Sequence, residues 1–267
     1  MKEVNFLKNF KDCKNLVFKI GTSTITHENG KLNLHKIEKI IRVIADIKNS
    51  GKTVVVVTSG AIGVGVGKLN LSSKPKDIGG RQACAAIGQC ELMYLYDKFF
   101  LENNCITGQV LMTRDIVDDE KRLKNVKNAF IKLIDFGAIP VVNENDCVST
   151  EELEFGDNDA LSAMVAKIVN SDGLIMLTDI NGLYTGDPKK NPDSQLIKVV
   201  EKITEDTKKI ASGRGSSRGT GGMITKIAAA EIAVNAGIIT AIVDGAAPES
   251  IYDLLEGKEV GTIFWTD

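Results

Sequence analysis

Histidine is almost missing from this chain. His27 and His35 are the only two in 267 residues, which argues against a histidine-built metal centre and against a Ser-His-Asp triad. His27 lies in a polar turn, where solvation accounts for it. Cysteine is scarce too: Cys13, Cys84, Cys90, Cys105 and Cys147 are odd in number and show no C-x-x-C spacing. They read as reduced thiols of a cytoplasmic protein, not as a disulfide framework or a zinc site. No apolar run reaches the roughly 18 residues of a membrane span. The charged stretch Met1–Lys14 lacks the apolar centre of a secretory signal. Neither sign of charge dominates, and a net charge of −2 gives no field for nucleic acid. No nucleic-acid and no membrane partner is therefore expected.

What is present is ordinary for a soluble globular chain: 43% hydrophobic and 25% charged residues. Leu16 to Ile20 is a short apolar strand interrupted by Lys19. Leu34, Ile37, Ile40, Ile41, Ile44 and Ile47 recur at helical spacing. Thr53 to Val57 is β-branched throughout, as in a strand buried on both faces of a parallel sheet. Helices are expected at Arg81 to Leu101, Val117 to Phe136, Ala160 to Val169, Met223 to Ala236 and near Ser250 to Leu255. Strands are expected at Ile106 to Leu111, Ile139 to Val142, Leu174 to Leu177, Thr240 to Val243 and near Gly261 to Phe264. This alternation predicts an α/β protein, a three-layer αβα sandwich with a mainly parallel central sheet, over residues 1–267 as one domain.

Polarity is concentrated at a few strand ends. From Asn143 to Asp159 there are seven acids, far more than a turn needs. A loop that leaves a buried strand and feeds a helix is where α/β proteins hold ligands. A helix cap explains one of Asp157 and Asn158, but not Asn143, Asp146, Asp157, Asn158 and Asp159 together. Lys19 precedes Gly21-Thr22-Ser23-Thr24, a turn whose amides suit an anion; a lysine snorkelling at a strand end explains the same letters. Thr58-Ser59-Gly60-Ala61-Ile62-Gly63-Val64-Gly65 reads equally well as an anion-binding turn and as a tight turn with glycines chosen for packing. Gly51-Lys52-Thr53 mimics the tail of a Walker A loop, but Asp46 occupies the place of the partner glycine and the pair opens a strand. Five glycines lie among the fourteen residues from Gly213 to Lys226. Thr220-Gly221-Gly222 at a helix start, with Lys226 one turn in, is a candidate phosphate cradle.

In order along the chain stand Lys-x-Gly-Thr-Ser, Thr-Ser-Gly-Ala-Ile, Asn-Glu-Asn-Asp, Gly-Asp-Asn-Asp, Thr-Asp and Thr-Gly-Gly-Met-x-Thr-Lys. The set resembles the amino acid kinase family, and within it the branch that phosphorylates free glutamate. The resemblance runs from Lys19 to Phe264. Its specific part is Asn-Glu-Asn-Asp with Gly-Asp-Asn-Asp; the glycine-rich loops are shared with acetylglutamate, aspartate, carbamate and uridylate kinases. It implies transfer of the ATP γ-phosphoryl group to the side-chain carboxylate of L-glutamate, the first step of proline synthesis. It implies that the N-terminal part binds glutamate and the C-terminal part ATP, with Mg²⁺ carried by the phosphates and no protein metal cage. Lys19 and Lys226 would act on the transferring phosphoryl group and Asp159 would orient them. Ser59, Asp146 and Asn158, with Asn143 and Asp157, would contact glutamate: Asp146 its ammonium, Asn158 its carboxylate. Lys19, Thr178, Asp179, Thr220, Gly221, Gly222, Met223, Ile224, Thr225 and Lys226 would form the ATP site. Feedback by proline and a homo-oligomer also follow from the resemblance, and no C-terminal PUA domain is expected. A sibling kinase acting on acetylglutamate or aspartate, and a nucleotide or amino-acid sensor without turnover, are the alternatives.

Overall fold

The computed structural model describes residues 9–27, 31–148, 158–188, 190–212 and 222–266. In chain order its first half holds β1 (Asn15–Ile20), α1 (Thr22–Ile25), α2 (Leu34–Asn49), β2 (Thr53–Val57), α3 (Ala61–Lys68), α4 (Ile78–Glu102), β3 (Thr107–Met112), α5 (Glu120–Asp135) and β4 (Ile139–Glu144). Its second half holds α6 (Asn158–Ile168), β5 (Gly173–Thr178), β6 (Val199–Val200), α7 (Glu205–Ser212), α8 (Met223–Val234), β7 (Ile239–Asp244), α9 (Ser250–Leu255) and β8 (Thr262–Phe264). The chain divides into two compact units. Ile20 to Asn158 form the N-terminal unit; the chain up to Lys19 joins the segment from Asp159 onward as the C-terminal unit.

In the N-terminal unit the strand order is β3-β4-β2, and both pairings are parallel. Val54 to Val57 and Ile139 to Val142 are buried, as continuous apolar strands covered on both faces must be. Asn33 caps α2 by accepting from the Lys36 amide at 3.1 Å, and Gly51, at φ +98°, takes the chain out of the helix. Ile37, Ile40, Ile41, Ile44 and Ile47 face the core, whereas Leu34 at the helix start is exposed.

The glycine-rich stretch after β2 is where the structure departs most from a loop. Gly60, at φ +97°, is the N-cap of α3, and the glycines that follow lie inside that helix. Packing explains Gly65 of α3 and Gly88 of α4: a Cβ at Gly65 would stand 1.9 Å from the Cys84 carbonyl oxygen, and one at Gly88 would stand 1.8 Å from that of Ala61. Bare backbone lets α3 and α4 approach this closely. The expected helix at Val117 begins instead at Glu120, because Asp119 caps it through the Lys121 and Arg122 amides; Arg114–Asp118 is a 3-10 turn.

In the C-terminal unit the order is β1-β5-β7-β8-β6. β5 pairs with β7 and β6 with β8 in parallel, while β7 and β8 are antiparallel. The Asp172 amide donates to the Asn15 carbonyl at 2.8 Å, so β1 and β5 start side by side. All six residues of β5 are buried. The α/β reading with a mainly parallel sheet therefore holds. The two-residue β6 and the charged α7 carried no periodic signal in the sequence.

Candidate active site

The C-terminal unit brings together three charged groups far apart in sequence. Lys19 sits next to last in β1, Asp159 in the first turn of α6, and Lys226 in the first turn of α8. Asp159 Oδ1 pairs with Lys19 Nζ, and Asp159 Oδ2 with Lys226 Nζ at 3.0 Å. The Thr225 hydroxyl also reaches Oδ2 at 3.0 Å. Side-chain exposure is 6% for Lys19, 10% for Lys226 and zero for Asp159. Among the described residues, two ammonium groups against one carboxylate leave one surplus positive charge in an almost dry place. Such a charge is costly unless an anion meets it. The start of α6 also favours the Asp159 carboxylate through the helix dipole.

Lys19 is the last but one residue of β1 and Thr178 the last residue of β5, its neighbour in the sheet. Thr178 is buried and its hydroxyl donates to Asp179 Oδ1 at 3.2 Å, while Asp179 itself is exposed. Gly222 is the N-cap residue of α8, Met223 is buried, and Ile224 is exposed. Thr220, Gly221 and Asp157, all named from the sequence, lie outside the described residues. Among the described residues no group of three or more His, Cys, Asp or Glu side chains is placed to hold a metal ion.

The N-terminal unit gathers a second polar set at the ends of β2 and β4. Asn158 donates both Nδ2 hydrogens, to the Thr58 carbonyl at 2.5 Å and to Asn143 Oδ1 at 2.6 Å. What it has left is an acceptor, Oδ1; the donors that the expected carboxylate contact would use are already engaged within the protein. Asn143 Oδ1 also accepts from the Glu144 amide at 2.9 Å, and Asn143 Nδ2 donates to Gln89 Oε1 at 2.7 Å. Ser59 donates to the Ile20 carbonyl at 3.0 Å and accepts from the Thr22 hydroxyl at 3.2 Å. Its remaining capacity is also that of an acceptor.

Asp146 stands half-buried just beyond β4. Burial raises its pKa from 3.8 to about 6, helped by the Glu144 charge and opposed by Lys74. Burial and the nearby Arg81 in turn lower the Lys74 pKa. The sequence reading missed Gln89, Tyr96, Lys74 and Arg81. Tyr96 lies one face-repeat after Gln89 on α4 and shares a 2.8 Å hydrogen bond with the Thr58 hydroxyl; burial pushes its phenol well above the usual range. None of the four belongs to a motif, and each is recognisable only by what it touches.

A model of the amino acid kinase family matches residues 14–244. The chain is 52% identical over 261 residues to the glutamate 5-kinase of Clostridium perfringens, covering 96% of this chain and 97% of that one. It is 52% identical over 254 residues to the glutamate 5-kinase of Clostridium tetani, covering 95% of each. Among solved structures, carbamate kinase from Giardia lamblia bound to AMP-PNP superposes with a TM-score of 0.67 at 17% identity, over 96% of this chain and all of the other. That last likeness concerns the fold.

Proposed function

The chain belongs to the amino acid kinase family, and from that premise we propose that it transfers the γ-phosphoryl group of ATP to the side-chain carboxylate of L-glutamate. The product is L-glutamyl 5-phosphate, the first intermediate of proline synthesis. The observation that carries the mechanism is the buried Lys19–Asp159–Lys226 set.

A carboxylate nucleophile with a pKa of about 4.3 is ionised at neutral pH. It needs no general base, which suits a chain with two histidines. The obstacle is repulsion between the carboxylate and the triphosphate. Lys19 and Lys226 supply the opposing charge where it spreads over the transferring phosphoryl oxygens, and Asp159 holds both ammonium groups in place before the reaction begins. Thr178, Asp179 and the stretch Thr220 to Lys226 bind the nucleotide, which enters as its Mg²⁺ complex. The C-terminal unit is thus the ATP side.

The N-terminal unit is the glutamate side. Asp146 and the free Oδ1 of Asn158 accept from the substrate ammonium, with Ser59 and Asn143 beside them and Asp157 as a further contact. A free amine is required by this set of acceptors, which separates glutamate from N-acetylglutamate. Feedback by proline and self-association complete the proposal and rest on the family resemblance.

The test is ADP formation with L-glutamate, N-acetyl-L-glutamate and L-aspartate, with the acyl phosphate trapped as its hydroxamate. Turnover that depends on glutamate, with little from the acetylated compound, is expected. Equal turnover of glutamate and N-acetylglutamate would remove Asp146 and Asn158 from ammonium recognition and with them the glutamate assignment.

A further inference from the structure

Gln89 belongs to no sequence motif, yet its side chain is the end of a chain of amides. The chain is anchored at two backbone groups. The Thr58 carbonyl takes a hydrogen from Asn158 Nδ2 at 2.5 Å, and the Glu144 amide gives one to Asn143 Oδ1 at 2.9 Å. A backbone carbonyl only accepts and a backbone N–H only donates. Asn158 must therefore present its nitrogen to Thr58, and Asn143 must present its oxygen to Glu144. Asn158 Nδ2 then meets Asn143 Oδ1 at 2.6 Å, and Asn143 Nδ2 faces Gln89 at 2.7 Å. Gln89 has to answer with Oε1. Its orientation is forced, and its Nε2 is turned away as a donor.

That Nε2 is buried and meets no acceptor among the described residues. The residue is 9% exposed. A buried donor left without a partner costs roughly 1–3 kcal/mol, so an amide here is not explained by packing. The approach of α4 to α3 at Gly88 brings Gln89 up to the polar residues at the ends of β2 and β4. Asn158 Nδ2 and Asn143 Oδ1 each have two partners, and Asn143 Nδ2 and Gln89 Oε1 have one each. Among the described residues two amide atoms of the relay are left with no partner at all, the acceptor Asn158 Oδ1 and the buried donor Gln89 Nε2. An α-amino acid carries a donor and an acceptor on the same carbon, the ammonium and the α-carboxylate.

We infer that Gln89 is a substrate-binding residue: Oε1 locks the Asn143–Asn158 relay and Nε2 donates to the α-carboxylate of the amino-acid substrate. The assignment rests on the glutamate reading given above. The γ-carboxylate is the nucleophile and belongs with the lysines, so the α-carboxylate is the anion left for a neutral donor. Asn158 then reads the ammonium and Gln89 the carboxylate, and the hydrogen-bonded Asn143 between them fixes both amides at once.

Gln89→Glu keeps an oxygen for Asn143 Nδ2 and replaces the donor by a carboxylate. Steady-state kinetics would compare L-glutamate with L-isoglutamine, its α-carboxamide, at saturating ATP. In the wild type kcat/KM favours glutamate. In Q89E the glutamate KM rises roughly 10- to 100-fold, the scale of one charge-assisted hydrogen bond, while the ATP KM stays put. The preference for glutamate over isoglutamine shrinks by a similar factor, because the new carboxylate accepts from the amide N–H of isoglutamine. A merely structural Gln89 would leave that ratio unchanged. Gln89→Met lowers the ratio because the donor to the α-carboxylate is gone, and serves if Q89E melts below the assay temperature. A wild-type ratio in both variants overturns the inference alone. A wild-type enzyme idle with glutamate overturns the proposed function and this inference with it.

Discussion

Asp146 should make glutamate use pH-dependent in a range where most carboxylates are silent. Its pKa is raised to about 6 by burial and by Glu144. If its carboxylate pairs the substrate ammonium, protonation removes the contact. The kcat/KM for glutamate reports groups of the free enzyme and scales with the ionised fraction of Asp146. With a pKa of about 6 that fraction is about 0.97 at pH 7.5 and about 0.09 at pH 5.0, so kcat/KM should fall about ten-fold between them. The substrate's side-chain carboxylate, with a pKa of about 4.3, stays about five-sixths ionised at pH 5.0 and adds little. Asp146→Asn should lower kcat/KM at neutral pH and flatten the profile through pH 6. Stability should move the other way. The folded-state pKa lies above the ordinary value of 3.8, so the folded protein holds a proton that the unfolded chain has released between about pH 4 and pH 6. Stability therefore falls as pH rises through that window, and the full cost is present above it. A shift of about two units sets a ceiling of about 3 kcal/mol, and partial solvation of the side chain brings the expected gain in D146N at pH 7.5 to about 1–2 kcal/mol. The assay is a pH series of glutamate kcat/KM with urea melts of the ligand-free protein. An inflection near pH 6 that survives in D146N would refute the assignment.

Three further outcomes follow from the geometry. Lys19→Met and Lys226→Met keep the stem and remove the charge, so kcat should fall roughly 10²–10³-fold, the effect of losing one preorganised donor; rapid-quench or steady-state ADP release measures it, and a change confined to KM would place the lysines in ground-state binding. Gly65→Ala drives a Cβ to 1.9 Å from the Cys84 carbonyl oxygen and should destabilise by about 1–3 kcal/mol or more through separation of α3 and α4; an unchanged urea midpoint would contradict the packing reading. Asn158→Asp sets a carboxylate oxygen against the Thr58 carbonyl and Asn143 Oδ1, both acceptors; glutamate binding measured by calorimetry should be lost, with ATP binding retained.

Much of this was legible in the sequence, for reasons that differ between levels. β-branched runs and helical spacing located the main strands and helices, because burial on two faces or one leaves a local pattern. Lys19, Asp159 and Lys226 could be named because each sits in a short motif, although Lys19 is 140 positions from Asp159 and Lys226 is 67. Three things were hidden. The helix α3 looked like a loop, since its Gly65 answers to the Cys84 carbonyl, a neighbour in space. Gln89 looked like one polar residue on a long helix. The role of Asn158 depended on which of its atoms the protein had already engaged, and hydrogen-bond direction is a property of partners that periodicity cannot carry.

The central claim is that Asp159 orients two lysines for transfer of the phosphoryl group. Its most direct test is kcat of Asp159→Asn at saturating glutamate and MgATP, on protein shown by its melting curve to be folded at the assay temperature. Asn keeps the size of the Asp159 side chain but, being neutral, cannot hold the Lys19 and Lys226 ammonium groups together. The account predicts a kcat at least about 100-fold below wild type with both KM values little changed. A wild-type kcat would make Asp159 a structural residue and contradict the mechanism.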